Sequence, residues 1–224
     1  MKHAKKVGKK VANLMTRCGV TTYADTQQVI KEARSRMGLK APRAKNGSVK
    51  RLSLSELEEV LECAHRVSAQ HRLIFETLYY TGARVAEFCD LTAQDFYAGE
   101  ARVVIADGKG GKRREVPIPS WLASKIEIYL QDRTEGPLFQ NSHGTKLQVR
   151  TVQFWVKDLR RQLNLSIHLT PHSFRHSIAT HMVERGFTKD MVQAFLGHSR
   201  SDTTEIYTRT ANPGLAAKVR EVYG

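Results

Sequence analysis

The sequence predicts a mainly α-helical fold with a small antiparallel β-sheet, the α+β class. Three observations predict it. Apolar stripes recur at helical spacing along most of the chain. One pair of β-branched runs is separated by a glycine-rich turn. A change of charge near residue 50 sets a basic N-terminal segment apart from the rest.

In that N-terminal segment, Val7, Val11, Leu14 and Cys18 fall on one helix face with lysines between them, and Gly19 is a stop. Tyr23, Thr26, Val29, Ile30, Ala33 and Met37 form a second stripe, capped by Thr21 or Thr22 and ended by Gly38. Residues 1–38 are therefore expected to be a basic helical segment. Residues 39–50 hold Pro42, Asn46, Gly47 and several lysines, and read as a linker. Residues 51–224 form the larger domain. Ser53 and Glu56 make a capping-box pattern ahead of the stripe Leu54, Leu57, Val60, Leu61 and Ala64.

A further helix is expected over about 69–80, broken at Thr81-Gly82. The next is expected to begin near Ala83, with Arg84 and Glu87 one turn apart. The runs Arg102–Ala106 and Arg114–Ile118 flank Gly108-Lys109-Gly110-Gly111-Lys112 and predict a hairpin. From Trp121 onward helices are expected near 121–131, 149–163, 173–185, 188–196 and 202–208, with a last one over 213–222.

Charge narrows the partner class. The chain carries 36 basic and 22 acidic residues, a net +14. Residues 1–50 hold 13 Lys and Arg against 2 Asp and Glu, so most of the excess lies there. A segment of this kind binds a polyanion by releasing counterions, and nucleic acid is the usual candidate. Three cysteines, Cys18, Cys63 and Cys89, have no CxxC spacing, so free thiols are expected rather than a disulfide frame or zinc site. The basic start lacks the apolar stretch of a signal peptide, and no apolar run is long enough to span a bilayer. A cytoplasmic, nucleoid-associated location with no membrane partner is the expectation.

Four segments carry chemistry: Thr81-Gly82-Ala83-Arg84-Val85-Ala86-Glu87, the glycine-flanked turn with Lys109 and Lys112, His172-Ser173-Phe174-Arg175-His176, and Leu196-Gly197-His198 with Tyr207 nine residues on. Guanidinium groups suit a phosphate that gains negative charge, because each donates two hydrogen bonds in a planar fork. Arg84 and Arg175 are the candidates. An i, i+3 pair with Glu87 also fits Arg84, and a carboxylate behind an arginine fixes its orientation. His172, three residues before Arg175, lies on the same helical face and suits proton transfer or a phosphate contact. His176 and His181 read as packing residues.

In the order Arg84, Lys109, His172-x-x-Arg175, His198, Tyr207, residues 50–224 resemble the catalytic domain of the tyrosine recombinase (phage integrase) family. The resemblance implies that family's catalytic-domain fold, preceded here by a short helical DNA-binding arm. It implies that Tyr207 attacks a DNA phosphate, giving a 3′-phosphotyrosyl enzyme and a free 5′ hydroxyl, and that a partner strand's 5′ hydroxyl reverses the step. A tyrosine with a pKa of about 10 needs a neighbouring base and cations for this. Lys109 would protonate the leaving oxygen, with Lys112 the rival in the same turn, and His198 would bond the scissile phosphate.

Neither metal nor nucleotide cofactor is implied, and no small-molecule substrate. The partners implied are double-stranded DNA and, in the synaptic complex, a homotetramer, with a monomer free in solution. The segment from Pro213 resembles the family's C-terminal helix, which docks on a neighbouring subunit. A type IB topoisomerase and a DNA-binding protein without turnover share much of this pattern. The family places a helical clamp of roughly 80–100 residues before the catalytic domain; residues 1–50 have room for about two helices. Target site and biological outcome are not encoded in these motifs.

Overall fold

The computed structural model describes residues 2–38, 51–106, 113–165, 167–197 and 213–224. The linker at 39–50, the hairpin turn with Lys109 and Lys112, and the expected helix at 202–208 lie outside the described residues. The chain divides into two compact units, Met1–Ser48 and Val49–Gly224.

The first unit holds α1 (Lys2–Arg17) and α2 (Tyr23–Arg36). Both stops are glycines with left-handed backbone, Gly19 at φ 76° and Gly38 at φ 64°. Thr22 caps α2, its hydroxyl accepting from the Asp25 amide at 3.1 Å.

Among the described residues, the second unit is a helical body with one small sheet. Its helices are α3 (Leu54–Val67), α4 (Ala69–Thr81), α5 (Val85–Asp90), α6 (Ser120–Leu130), α7 (Val149–Gln162), α8 (Pro171–Glu184), α9 (Lys189–Leu196) and α10 (Pro213–Tyr223). Ser53 caps α3 with the reciprocal Glu56 contact. Helix α8 threads the core. Phe174 stacks on Phe75 of α4, with ring centroids 5.6 Å apart. One face of α8 buries Phe174, Ile178 and Met182, all at most 1% exposed. Stripping that much apolar surface from water is the main stabilising term of such a body.

Strand β2 (Arg102–Ala106) pairs antiparallel with β3 (Arg113–Pro117), Val103 opposite Val116 and Ile105 opposite Arg114. A two-residue strand β1 (Phe96–Tyr97) adds on the outer side of β2. It is too short to leave a periodic signal in the sequence. Helix α5 also differs from expectation. The helix starts at Val85, and Arg84 stands outside it in extended backbone as the N-cap residue (φ −67°, ψ 147°). The cause is Gly82, which ends α4 in the left-handed region at φ 55° and forces two non-helical residues before the chain can turn again.

Helix α10 is seated on its own chain. Leu215 and Val219 are 3% and 2% exposed. The Trp121 indole donates to the Tyr223 carbonyl at 3.2 Å, and the Ser120 amide donates to that of Gly224 at 3.0 Å. In this structure the apolar face of the helix, with Leu215 and Val219, is covered by its own chain. All three thiols are free, with Cys18 exposed and Cys63 and Cys89 buried. Among the described residues no helix is long and apolar enough to cross a membrane.

Candidate active site

The turn between α4 and α5 brings the first candidate residue into place. Gly82 is needed there on two counts: its φ is left-handed, and a Cβ would sit 3.0 Å from atoms of both Phe195 and Leu196. The end of α9 therefore packs directly on the turn that carries Arg84.

Arg84 is oriented by Glu87. The carboxylate accepts from the Arg84 backbone amide at 2.9 Å and from its guanidinium at 2.5 Å. The ion pair with Glu87 is present, and the Arg84 side chain is still half exposed, at 48%. Its free edge can meet a phosphate while Glu87 fixes its heading.

Arg175 lies deeper than a helix-surface arginine. It is 4% exposed and donates to the carbonyl oxygens of Gly82 at 2.5 Å and Leu196 at 2.7 Å. A guanidinium has five N–H donors, so three remain beyond these two bonds. Burial is the main cause of a fall in its pKa to about 10, and the neighbouring charges of Arg114 and Arg84 add to it. At neutral pH the group stays charged. The cluster is held in excess positive charge, a state that an incoming anion relieves.

Arg114 is the residue that sequence reasoning missed. It sits on β3, 7% exposed, and donates to Glu87 at 2.8 Å. Burial alone would raise the Glu87 carboxyl, but the Arg114 guanidinium, the Arg84 amide and the Arg84 side chain together bring it down to about 2. The signal was present in the strand's alternation. Arg114 is in phase with Val116 and Ile118, which are 0% and 1% exposed, so the pattern places it inward despite its charge.

His172 lies in the first turn of α8, exposed, its ring edge-on to His176 at 4.5 Å. The same helix begins at Pro171, which suits a first helical position, behind the cap residue Thr170. His181 is a core residue: it is 2% exposed and its Nδ1 shares a 2.7 Å hydrogen bond with the Tyr79 hydroxyl. Of the six expected site residues, Arg84, His172 and Arg175 are described. Arg84 and Arg175 meet through the Gly82 turn and through their charges. Lys109, His198 and Tyr207 lie outside the described residues.

The fold is a helical body with a three-stranded sheet, and it brings a buried arginine and a half-exposed one together at a glycine turn, an arrangement suited to an anion. The sequence profile of the phage integrase family matches residues 50–213, and the chain belongs to that family, the tyrosine recombinases. It is 38% identical over 186 residues to the tyrosine recombinase XerA of Pyrococcus furiosus, covering 81% of this chain and 64% of that protein. It is 36% identical to XerC of Vibrio vulnificus over 183 residues, or 76% of this chain and 56% of that protein. The chain thus spans less than two thirds of the length of these relatives.

Among solved structures, a XerH site-specific recombinase bound to its difH substrate in a pre-cleavage complex is similar at TM-score 0.58 and 27% identity. It covers 75% of this chain and 52% of that one. A XerA recombinase crystal structure reaches TM-score 0.62 at 24% identity, over 95% of this chain and 81% of that one, a likeness of fold.

Proposed function

We propose that this chain is a site-specific DNA recombinase that cuts and rejoins strands through a 3′-phosphotyrosyl intermediate at Tyr207. The observation that carries the reading is the convergence of Arg84 and Arg175. One is half exposed and the other buried, and the first raises the energetic cost of the second's charge. A phosphate whose non-bridging oxygens gain charge in the transition state is the ligand this arrangement suits. Family membership supports the remaining roles, with Lys109 as general acid, His172 assisting proton removal, and His198 bonding the scissile phosphate.

DNA-bound structures among the similar proteins support double-stranded DNA as the partner, and a lambda integrase tetramer bound to a Holliday junction supports assembly on DNA. The first unit, with its excess of lysine and arginine, would add affinity for the duplex backbone.

The test is incubation with a library of nicked duplexes carrying randomised centres, followed by capture of denaturant-resistant protein–DNA adducts. The wild type is expected to form a 3′ adduct and Tyr207→Phe none. Equal behaviour of the two would remove Tyr207 from the role. Relaxation of supercoiled plasmid by wild type, with no recombinant product, would instead indicate topoisomerase chemistry. Specific binding without any adduct would indicate a DNA-binding protein that does not turn over.

A further inference from the structure

We propose that Arg114 is a positioning residue for the phosphate-binding arginines, acting through Glu87, an inference that rests on the functional reading above. Four observations carry it. First, Arg114 occupies an inward position of β3 that the strand's alternation reserves for an apolar side chain. A buried arginine is costly unless it is paired, so the position is explained by what it pairs with. Second, its partner is the carboxylate that holds Arg84 by both backbone and side chain. Arg114 and the Arg84 amide donate to the same oxygen, Glu87 Oε2, at 2.8 and 2.9 Å, while the Arg84 guanidinium takes Oε1.

Third, Arg114 lies under the turn that ends α9. A Cβ added to Gly197 would come 2.8 Å from Arg114 Cδ and 3.2 Å from its Nη1, and Gly197 has φ 69°. The adjoining carbonyl, that of Leu196, is an acceptor of Arg175. Arg114 therefore touches the supports of both phosphate-binding arginines: Glu87 behind Arg84, and the Leu196-Gly197 turn behind Arg175. Fourth, Arg114 Nε is buried with no hydrogen-bond partner among the described residues. Leaving a buried N–H unpaired costs stability, so the placement of Arg114 is set by the bonds it does make. Two guanidiniums here, those of Arg84 and Arg114, share one carboxylate, and the charges of all three groups act on Arg175. Arg114, with a side chain 8% exposed, contributes its charge from behind rather than by touching DNA.

Without Arg114, Glu87 keeps the Arg84 amide and guanidinium as partners but loses the bond that holds Oε2 from the sheet side, so the carboxylate is fixed less firmly. The heading of Arg84 is then held less firmly too. A small displacement of a charge-stabilising group can lower a rate by about a hundredfold while leaving ground-state binding nearly unchanged.

The experiment has two arms. In the free protein, 1H–15N spectra of the arginine Nε–H groups report the order of Arg84. The expected result is an ordered Arg84 Nε–H in wild type, a mobile one in Arg114→Met, and an intermediate one in Arg114→Lys, which keeps a cation near Glu87. An Arg84 signal equally ordered in all three would overturn the proposal, whatever the protein's activity.

In the second arm, adduct formation and binding are measured on a nicked duplex selected from the library. Arg114→Met is expected to lower the adduct rate about ten- to a hundredfold with duplex affinity held within about twofold. Arg114→Lys is expected to recover part of that rate. The double variant Arg114→Met/Glu87→Gln should be no slower than the slower single variant. Multiplying losses, or a lysine no better than methionine, would overturn the proposal by showing that Arg114 does not act through Glu87. If Arg114→Met does not fold, Arg114→Gln takes its place against lysine in both arms. A wild type that forms no adduct counts against the functional reading, and the Arg84 spectra then decide the proposal by themselves.

Discussion

Arg175 donates a 2.5 Å hydrogen bond to the carbonyl oxygen of Gly82, two residues before Arg84 in the chain. One buried guanidinium thus fixes the backbone from which the other is presented. A second bond, to the Leu196 carbonyl, ties the end of α9 to the same point. The planar fork is what makes both contacts possible from one side chain.

Arg175→Lys tests this directly. An ammonium is a single point donor and cannot span both carbonyls while facing a phosphate. The adduct rate is expected to fall by about a hundredfold or more. Loss of the buried bonds should also lower stability by about 1–3 kcal/mol. Adduct formation and urea unfolding are the measurements, and a variant matching wild type in both would remove Arg175 from either role.

Acid should act on two buried groups in turn. Burial, the largest influence, lowers the pKa of His181 below its ordinary 6.5, so the folded state holds this ring neutral. Its contribution to stability is present above pH 6.5 and is lost as the pH falls through the lowered value. Glu87 is held down at about 2 against an ordinary 4.5, so its contribution is present above pH 4.5 and is lost as the pH falls toward 2. Denaturant unfolding from pH 8 to 3 should show both losses. Glu87→Gln should flatten the lower one and His181→Gln the upper one.

How much of this was legible in the sequence differs from element to element. The stops at Gly19, Gly38, Gly82 and Gly197 were legible, because a left-handed residue at a helix end favours glycine for a local steric reason. The Ser53 capping box is equally local. The start of α5 was misplaced because Arg84 continues an apolar-periodic run, whereas the backbone after Gly82 is committed to extended geometry. Arg114 escaped because its charge argued for the surface and only the alternation of β3 argued otherwise. Its partner Glu87 is 27 residues away, and no local rule predicts that pair. The carbonyl acceptors of Arg175 are of the same kind, because main-chain oxygens carry no residue-type signature.

Salt should separate the work of the two units. Duplex affinity is expected to fall steeply with ionic strength, because each phosphate neutralised releases counterions. Removing residues 1–48 should reduce the slope of log affinity against log salt, since most of the net positive charge lies in the first 50 residues. Filter binding or fluorescence anisotropy across 50 to 300 mM salt would measure it. An unchanged slope would place the phosphate contacts in the second unit.

The seating of Arg175 has one more consequence, for cooperativity. Its two acceptors belong to segments 93 and 21 residues away in sequence, and its own helix threads the core. Releasing Arg175 therefore requires opening α4, α8 and α9 together, the costliest kind of fluctuation a small protein has. Amide exchange around Gly82 and Leu196 would then proceed only through global unfolding. A chain that keeps its core keeps Arg175 on the turn that presents Arg84, so partial melting is expected to release neither alone.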